Sequence, residues 1–521
     1  MTKYDVVVTG AGMGGLSAAI TLGSAGYKVL VIDRLSKPGG KMRQVFVDNL
    51  PIDSGPTVFT MRWVFDSLLD RANTSLEEHL TLKKAEVLAR HAWDDEEDNP
   101  PLDLYADVAR TEEAIGDFAG AREAKGYRSF CEEACNIFKT LKEPFMASQR
   151  PNLFQLPLRV GLTRLHNLFM TRPFDTMWNA LGQHFSDPRL RQLFGRYATY
   201  CGSSPFEAAA TLMLVAHVEQ DGVWMVKGGM YKLACAMEDV AKSVGTDFSY
   251  DTSVTKMVCE NGAVQGVVLN ENEYIETKAV ITNSDVAAVA TGLFGPEVQS
   301  AVPFMHKNER SLSAMTWSAH VKSSGFPLAH HNVFFSRDYE GEFQTLFRGK
   351  SIPRDPTVYI CAQDRNDDGN SLESSTVKDE PERMLILINA PANGDENDYT
   401  QEKVEANAQN TFSLLNRCGL ELDRDPERRK VTTPSDFNHL FPATGGALYG
   451  RASHGWSSSF KRPAARTHIK GLYLAGGSAH PGPGIPMATL SGRLAAEQLM
   501  SDMVGKIPVR RSHGSTLEAA Q

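Results

Sequence analysis

Two glycine-rich segments near opposite ends of the chain carry the residue types that hold an anion. The first, Gly10-Ala11-Gly12-Met13-Gly14-Gly15, has the GxGxxG spacing. In that spacing Gly10 permits a tight turn, Gly12 lets backbone approach a pyrophosphate, and Gly15 lets the next helix pack close to the preceding strand. Asp33, followed by Arg34, stands where an acid accepts hydrogen bonds from a ribose hydroxyl. The second segment runs from Gly476-Gly477-Ser478 through His480-Pro481-Gly482-Pro483-Gly484 to Ile485-Pro486-Met487. Pro486 suits the first turn of a helix from Met487 to about Met503. The start of that helix aims free N–H groups and a positive dipole end into the loop, a setting for an anion or an electron-rich ring. Two such units in one chain imply one large bound nucleotide.

The elements that must position these residues are legible around them. An apolar strand, Asp5 to Val8, enters the first glycine loop, an alanine-rich helix ends near Gly26, and a second strand, Lys28 to Ile32, delivers Asp33. The run Leu472-Tyr473-Leu474-Ala475 is a short buried strand that the prolines and glycines after it cannot continue. Residues 6 to 26 are uncharged, but their glycines and serines fit a buried βα unit better than a membrane span or signal peptide. Beyond Asp33, Pro38-Gly39-Gly40-Lys41-Met42-Arg43 and Asp53-Ser54-Gly55-Pro56-Thr57-Val58 extend the nucleotide site. Nicotinamide sites do not need that extension, whereas flavin sites do.

GAGMGG, PGGK and DSGPT together resemble the FAD-binding N-terminus of the amine oxidase and phytoene desaturase superfamily. HPGPGIP, the stretch Phe437 to Pro442 with Gly445 to Gly450, and Arg354 to Tyr359 resemble its carotenoid desaturase branch. Within the branch the chain is most similar to the bacterial hydroxycarotenoid 3,4-desaturases, also called methoxyneurosporene dehydrogenases. The resemblance spans essentially the whole chain. It implies an α/β fold with a Rossmann-like FAD-binding domain, an interleaved α+β substrate domain and a helical, membrane-facing lid. It also implies that FAD is held by Gly10, Gly12, Met13, Gly14, Gly15, Asp33, Arg34, Gly40, Lys41, Gly55, Pro56, Thr57, Val58, Asn283, Gly476, Gly477, Ser478, Ile485, Pro486 and Met487. Val254 is carried over as an adenine contact, although a core valine on a strand reads equally well. His480 is placed near the ring edge, as a proton acceptor, a group that steers the ring, or a cap of the loop. Three departures from the wider superfamily stand out: Asp33 replaces the commoner Glu, Lys41 replaces the commoner Arg, and Ser478 follows Gly476-Gly477 where many relatives carry Asp. Carotenoid desaturases also tend to lack that Asp.

Composition is consistent with this reading. A chain of 521 residues exceeds one ordinary core, and a net charge of -9 argues against a nucleic-acid partner. Seven scattered cysteines form neither a CxxC pair nor a zinc spacing, so a reduced, cytoplasmic setting and no metal are expected; Cys131 and Cys135 read as small apolar residues of a helix. The expected organisation is FAD-binding parts at 1–80, 224–294 and 435–506, a helical lid at 81–223, a substrate sheet at 295–434 and a tail at 507–521. Asp94 to Asp98 and Gln363 to Arg383 read as solvated loops. Lys139 to Asn179 holds six Lys or Arg against two acids, with Phe145, Leu153, Phe154, Leu158, Leu162, Leu165, Phe169, Met170, Phe174 and Trp178 interleaved among Arg150, Arg159, Arg164 and Arg172. That mixture suits an anionic membrane interface or an amphipathic lid over a core. Reaching a lipid-dissolved polyene tilts the reading toward peripheral attachment to the inner or photosynthetic membrane.

The chemistry implied is removal of two hydrogens from adjacent carbons of an acyclic carotenoid, in carotenoid biosynthesis. Neither hydrogen is acidic enough for a side-chain base to begin, so a hydride acceptor is required, and flavin is one. Oxygen or a quinone then takes the electrons. No Ser-His-Asp or paired-carboxylate arrangement is evident, and none is needed. Tyr449, His454 and Trp456 either line a tunnel or pack in the core. A phytoene-type desaturase or carotene isomerase, a flavin amine oxidase, and an escort of prenylated proteins are the alternatives on related scaffolds.

Overall fold

Val6–Thr9 is a strand in which every residue is buried. It pairs in parallel with Val29–Ile32 on one side and Val280–Thr282 on the other. Leu472–Leu474 and Asp247–Ser249 extend the two edges, also in parallel, into a five-stranded sheet. A sheet covered on both faces needs unbroken apolar strands, which is why these segments show no alternation. The helices Met13–Ser24, Tyr231–Ser243 and Ile485–Val504 pack over it. The structure is a computed structural model that describes residues 4–94, 100–161, 165–270, 272–367, 369–370 and 380–504. Asp95 to Asp98, Leu162, Arg164 and the expected tail 507–521 lie outside the described residues.

A second, seven-stranded sheet runs in the order Arg429–Thr432, Ser313–Val321, Glu382–Ala390, Val358–Ala362, His331–Phe334, Val87–Ala92, Leu102–Tyr105. Its pairings are antiparallel except that His331–Phe334 lies parallel to Val87–Ala92. Side chains alternate between faces, so neighbouring residues do different work. Met384, Ile386 and Ile388 enter a core with Trp317 and with Phe412 and Leu415 of the helix Gln401–Arg417, while Leu385, Leu387 and Asn389 line a cavity on the opposite face. Thr316 and Tyr359 line the same cavity from neighbouring strands.

A helical core packs beside that cavity and reaches it at Leu141. Val108–Ala119 and Ala121–Leu141 pack against Met177–His184 and Pro188–Gly195 around Phe130, Phe185 and Phe194, whose ring centroids lie 4.7 to 5.6 Å apart. Cys131 is buried on this helix and Cys135 half-buried, and all seven cysteines are free. Several described residues of the two stretches read as solvated are tied into the fold, while Asp95 to Asp98, 368 and 371–379 lie outside the described residues. The Asp94 side chain is 2% exposed and pairs with Arg337 at 3.0 Å and with Arg417, and Arg365 and Glu382 form a buried pair at 2.6 Å. Charges removed from water persist only when paired, and the partners of Asp94 come from segments more than 200 residues away that no local pattern reveals.

The helices that follow the two glycine loops cross in contact. The Ser17 hydroxyl donates to the Thr489 carbonyl at 2.7 Å, across 472 residues of sequence. A Cβ on Gly492 would lie 1.9 Å from the Gly14 carbonyl oxygen. Only a hydrogen fits there, and the rigid backbone opposite cannot give way. We expect Gly492→Ala to destabilise by about 1–3 kcal/mol, the range for overpacking. At Gly116, within Val108–Ala119, a Cβ meets only the Ala124 Cβ at 3.6 Å, so Gly116→Ala should be neutral or stabilising by about 0.5–1 kcal/mol. Thermal unfolding midpoints of the two variants check the contrast: similar midpoints for both would contradict the close crossing.

Candidate active site

Both glycine segments open onto one cavity of about 1260 Å³. Asn283, at the end of the strand Val280–Thr282, sits between them and donates from Nδ2 to the Gly10 carbonyl at 3.4 Å. A Cβ on Gly12 would lie 2.6 Å from Asn283 Nδ2, and one on Gly14 would lie 2.5 Å from Asn283 Oδ1 and 2.9 Å from the Gly476 amide. The first loop, the second loop and the Pro38–Lys41 extension are thus held in a bare-backbone cradle, with the Gly39 amide donating to the Ala11 carbonyl at 2.9 Å. A dinucleotide spanning two loops requires such a surface, and the residues present fit the flavin nucleotide expected from the sequence.

Of the expected contacts, Gly10, Gly12, Met13, Gly14, Asp33, Arg34, Gly40, Lys41, Gly55, Pro56, Thr57, Val58, Val254, Asn283, Gly476, Gly477, Ser478, Ile485, Pro486 and Met487 all line the cavity. Asp33 accepts from the Ala11 amide at 2.6 Å and the Leu35 amide at 2.8 Å, which fixes the carboxylate. Burial raises its pKa, and those two amides oppose the shift. Arg34 reaches the carbonyls of His439 and Leu440, at 3.0 and 2.5 Å. Lys41 Nζ donates to the Leu448 carbonyl at 2.7 Å. Burial lowers its pKa, with Asp285 opposing that shift and Arg462 adding to it. Arg462 lines the same wall and donates to the Gly477 carbonyl at 3.0 Å. Burial lowers the Arg462 pKa to about 10.

Two of the expected residues are off the cavity wall. His480 is not among the residues on the cavity wall. Its Nε2 donates to the Ser148 carbonyl at 3.0 Å, and its ring stands edge-on to Phe145 at 5.0 Å. Burial lowers its pKa to about 4, so at neutral pH the ring is uncharged. The geometry therefore gives His480 a structural tie between the glycine loop and the helical region and no contact with the cavity. Gly15 lies off the wall as well: a Cβ there would lie 1.9 Å from the Gly10 carbonyl oxygen and 3.3 Å from Val8 Cγ1, the close packing of helix on strand that its place in the motif implies. Tyr449 and Trp456 line the cavity, whereas His454 accepts from the Ser204 amide and faces Glu207 at 2.8 Å.

The rest of the wall comes partly from the basic, apolar segment read as a lid or membrane interface and partly from residues without a motif. Leu153, Leu156, Leu168, Phe169 and Phe174 form an apolar stretch, and opposite them Arg196, Tyr200 and Glu219 bring polar groups. Tyr197 and Tyr200 donate to the two oxygens of Glu219, each at 2.7 Å. Burial raises the pKa of Glu219. Thr57 and Tyr359 share a hydrogen bond of 2.6 Å, and Tyr359 another of 2.7 Å with His331 Nδ1. Thr57 lay in the DSGPT motif, Tyr359 ended the stretch Arg354 to Tyr359, and Leu153, Phe169 and Phe174 stood in the basic, apolar segment, whereas Arg196, Tyr197, Tyr200 and Glu219 carried no sequence signal. Strand pairing also gathers His330, His331 and Cys361, whose potential ligand atoms lie within 4.8 Å of one another, although their spacing in sequence suggested no metal. The Nδ1 atoms of both histidines already face protein oxygens, and burial raises the pKa of the Cys361 thiol.

Comparisons with known proteins bear on what this cavity serves. The chain is 48% identical over 503 residues to the hydroxyneurosporene desaturase of Rubrivivax gelatinosus, covering 96% of this chain and 94% of that one. It is 40% identical to the enzyme of the same name from Cereibacter sphaeroides, over 96% of this chain and 98% of that one. Among solved structures, a triple mutant of putrescine oxidase superposes with a TM-score of 0.60 at 14% identity, covering 96% of this chain and 99% of that one, which speaks to fold alone. The family model described as flavin containing amine oxidoreductase matches residues 13–500. With a paired glycine cradle and a match across nearly its whole length, the chain belongs to the flavin containing amine oxidoreductase family.

Proposed function

We propose that this protein is an FAD-dependent desaturase that introduces a C=C bond into an acyclic carotenoid, at the 3,4-position of a 1-hydroxy or 1-methoxy substrate. The observation that carries the reading is the single cavity: the glycine cradle and a long apolar wall are parts of one chamber, so a nucleotide and a polyene can meet inside it. The names of the relatives just described agree with it. FAD, when bound, supplies the hydride acceptor. The protein's own part is placement. Asp33, the backbone around Gly10 to Gly14 and Gly476-Gly477 hold the nucleotide, Val254 stands at its adenine end, and Gly55 to Val58 frame the far end. Leu385, Leu387 and Phe169 hold the polyene and exclude water. The second hydrogen leaves as a proton from a carbon beside a cation delocalised along the polyene, so no strong base is required. Oxygen or a quinone accepts the electrons. In this reading residues 1–80, 224–294 and 435–506 form the flavin side, and 81–223 and 295–434 the substrate side.

The same reading places a membrane at the cavity mouth. Leu153, Phe169, Phe174 and Trp456 line the cavity and are also exposed, Phe169 by 74% and Phe174 by 73%. Phe154, 85% exposed, Leu158 and Met170 extend that apolar surface, next to the exposed Arg159. Exposed aromatic and aliphatic side chains beside basic ones match an anionic bilayer surface, and a mouth seated in it would admit a carotenoid without passage through water. No described helix is long and apolar enough to cross a membrane, so attachment in this reading is peripheral.

Two experiments test the pair of statements. Purified protein with FAD and liposomes loaded with an acyclic 1-hydroxycarotenoid should shift the visible absorption to the red as conjugation lengthens. Absence of any shift with every acyclic carotenoid tried, under oxygen or with added quinone, rejects the desaturase. The double substitution Phe154→Ser, Met170→Ser removes apolar surface outside the cavity. We expect it to weaken co-sedimentation with phosphatidylglycerol vesicles by about tenfold or more, with turnover of detergent-dispersed substrate retained. Undiminished sedimentation rejects the membrane-facing lid.

A further inference from the structure

Among the described residues, seven charged side chains line the cavity, and five of them, Asp33, Arg34, Lys41, Asp285 and Arg462, lie on the nucleotide side. The other two are Arg196 and Glu219, on the substrate side, and they are not bonded to each other. Both Glu219 oxygens accept tyrosine hydroxyls, from Tyr197 and Tyr200. Arg196 carries five N–H donors. Among the described residues it spends them on one long contact, to the Tyr200 hydroxyl oxygen at 3.4 Å, while its guanidinium lies 5.4 Å from the ring centroids of Tyr200 and Tyr359. A cation in an apolar chamber with donors unspent calls for an oxygen to receive them.

The neighbouring atoms define which oxygen. Tyr200 has committed its proton to Glu219, so its oxygen can only accept. The spot therefore offers donors from Arg196 and an acceptor at Tyr200, the complement of an alcohol, which accepts and donates at one atom. It also adjoins the loop that frames the far end of the nucleotide site, because Tyr359, whose ring stands beside Arg196, is hydrogen-bonded to Thr57. Resting on the desaturase reading above, we infer that Arg196 and Tyr200, with Glu219 fixing the tyrosine, form a subsite that grips the tertiary 1-hydroxyl of the carotenoid and so sets which bond is oxidised. One methylene separates the carbon bearing that hydroxyl from the 3,4-bond. A grip on the oxygen thus fixes where the reacting carbons lie relative to the subsite.

The test compares kcat/KM of the holoenzyme for a 1-hydroxycarotenoid, its 1-methoxy analogue and the parent hydrocarbon. Wild type should favour the alcohol over the hydrocarbon by about 10- to 100-fold, with the ether, which accepts but cannot donate, in between. Tyr200→Phe and Arg196→Met should collapse the ratio toward one, mainly by raising KM for the alcohol. Flavin content and the visible flavin spectrum show that each variant is assembled, and the wild-type substrate series stands even if one variant is not. Turnover without preference in wild type, or a preference that survives both substitutions, overturns the subsite while leaving the desaturase standing. Turnover of no carotenoid at all overturns both.

Discussion

The contact of Gly14 with Gly492 is the constraint on which the remaining architecture depends. It brings the helix after the first strand and the helix after the last strand to backbone distance, and the Ser17 to Thr489 hydrogen bond fixes their register. Because the two helix starts are pinned together, the two glycine loops face one space. Asn283 then bridges the loops from the strand between them. Everything inserted between those strands, including both the helical region and the seven-stranded sheet, must leave and re-enter the parallel sheet without disturbing that contact. The closure is long-range, so the local turns alone cannot produce the cradle.

Charge is handled in two distinct ways around the cavity. In the nucleotide half the ionisable groups are held by backbone: Asp33 by two amides, Lys41 and Arg34 by carbonyls. Such partners cannot move aside, so these groups are fixed in place before any ligand arrives. In the substrate half the partners are other side chains, the Tyr197 and Tyr200 hydroxyls and the Glu219 carboxylate, which can shift by rotamer where a backbone amide cannot. Preorganisation is stiff where the ligand is constant and compliant where the ligand varies.

Much of the nucleotide half was legible in the sequence because it is built from local patterns. Glycine spacing, an acid after the second strand and apolar four-residue strands each depend on residues close in the chain. The substrate half was not, since it is assembled by pairing. Leu385, Leu387 and Asn389 reach the cavity only because their strand lies centrally in a sheet whose neighbours come from residues 313–321 and 358–362. Arg196 sits on a short 3-10 turn that carries no motif. His480 shows the converse failure: a suggestive residue in a suggestive loop was turned away from the cavity by the Ser148 carbonyl, 332 residues distant.

The seven-stranded sheet has one face in the hydrophobic core and the other on the cavity, so a single backbone separates what keeps the protein folded from what it can accommodate. Adjacent positions such as Ile386 and Leu387 thereby answer to different selective pressures. Such a partition makes the cavity wall evolvable: side chains on that face can be exchanged to suit a longer, shorter or more oxidised polyene while the opposite face keeps its packing. A scaffold of this kind diversifies by repainting one side of a strand rather than by rebuilding the strand.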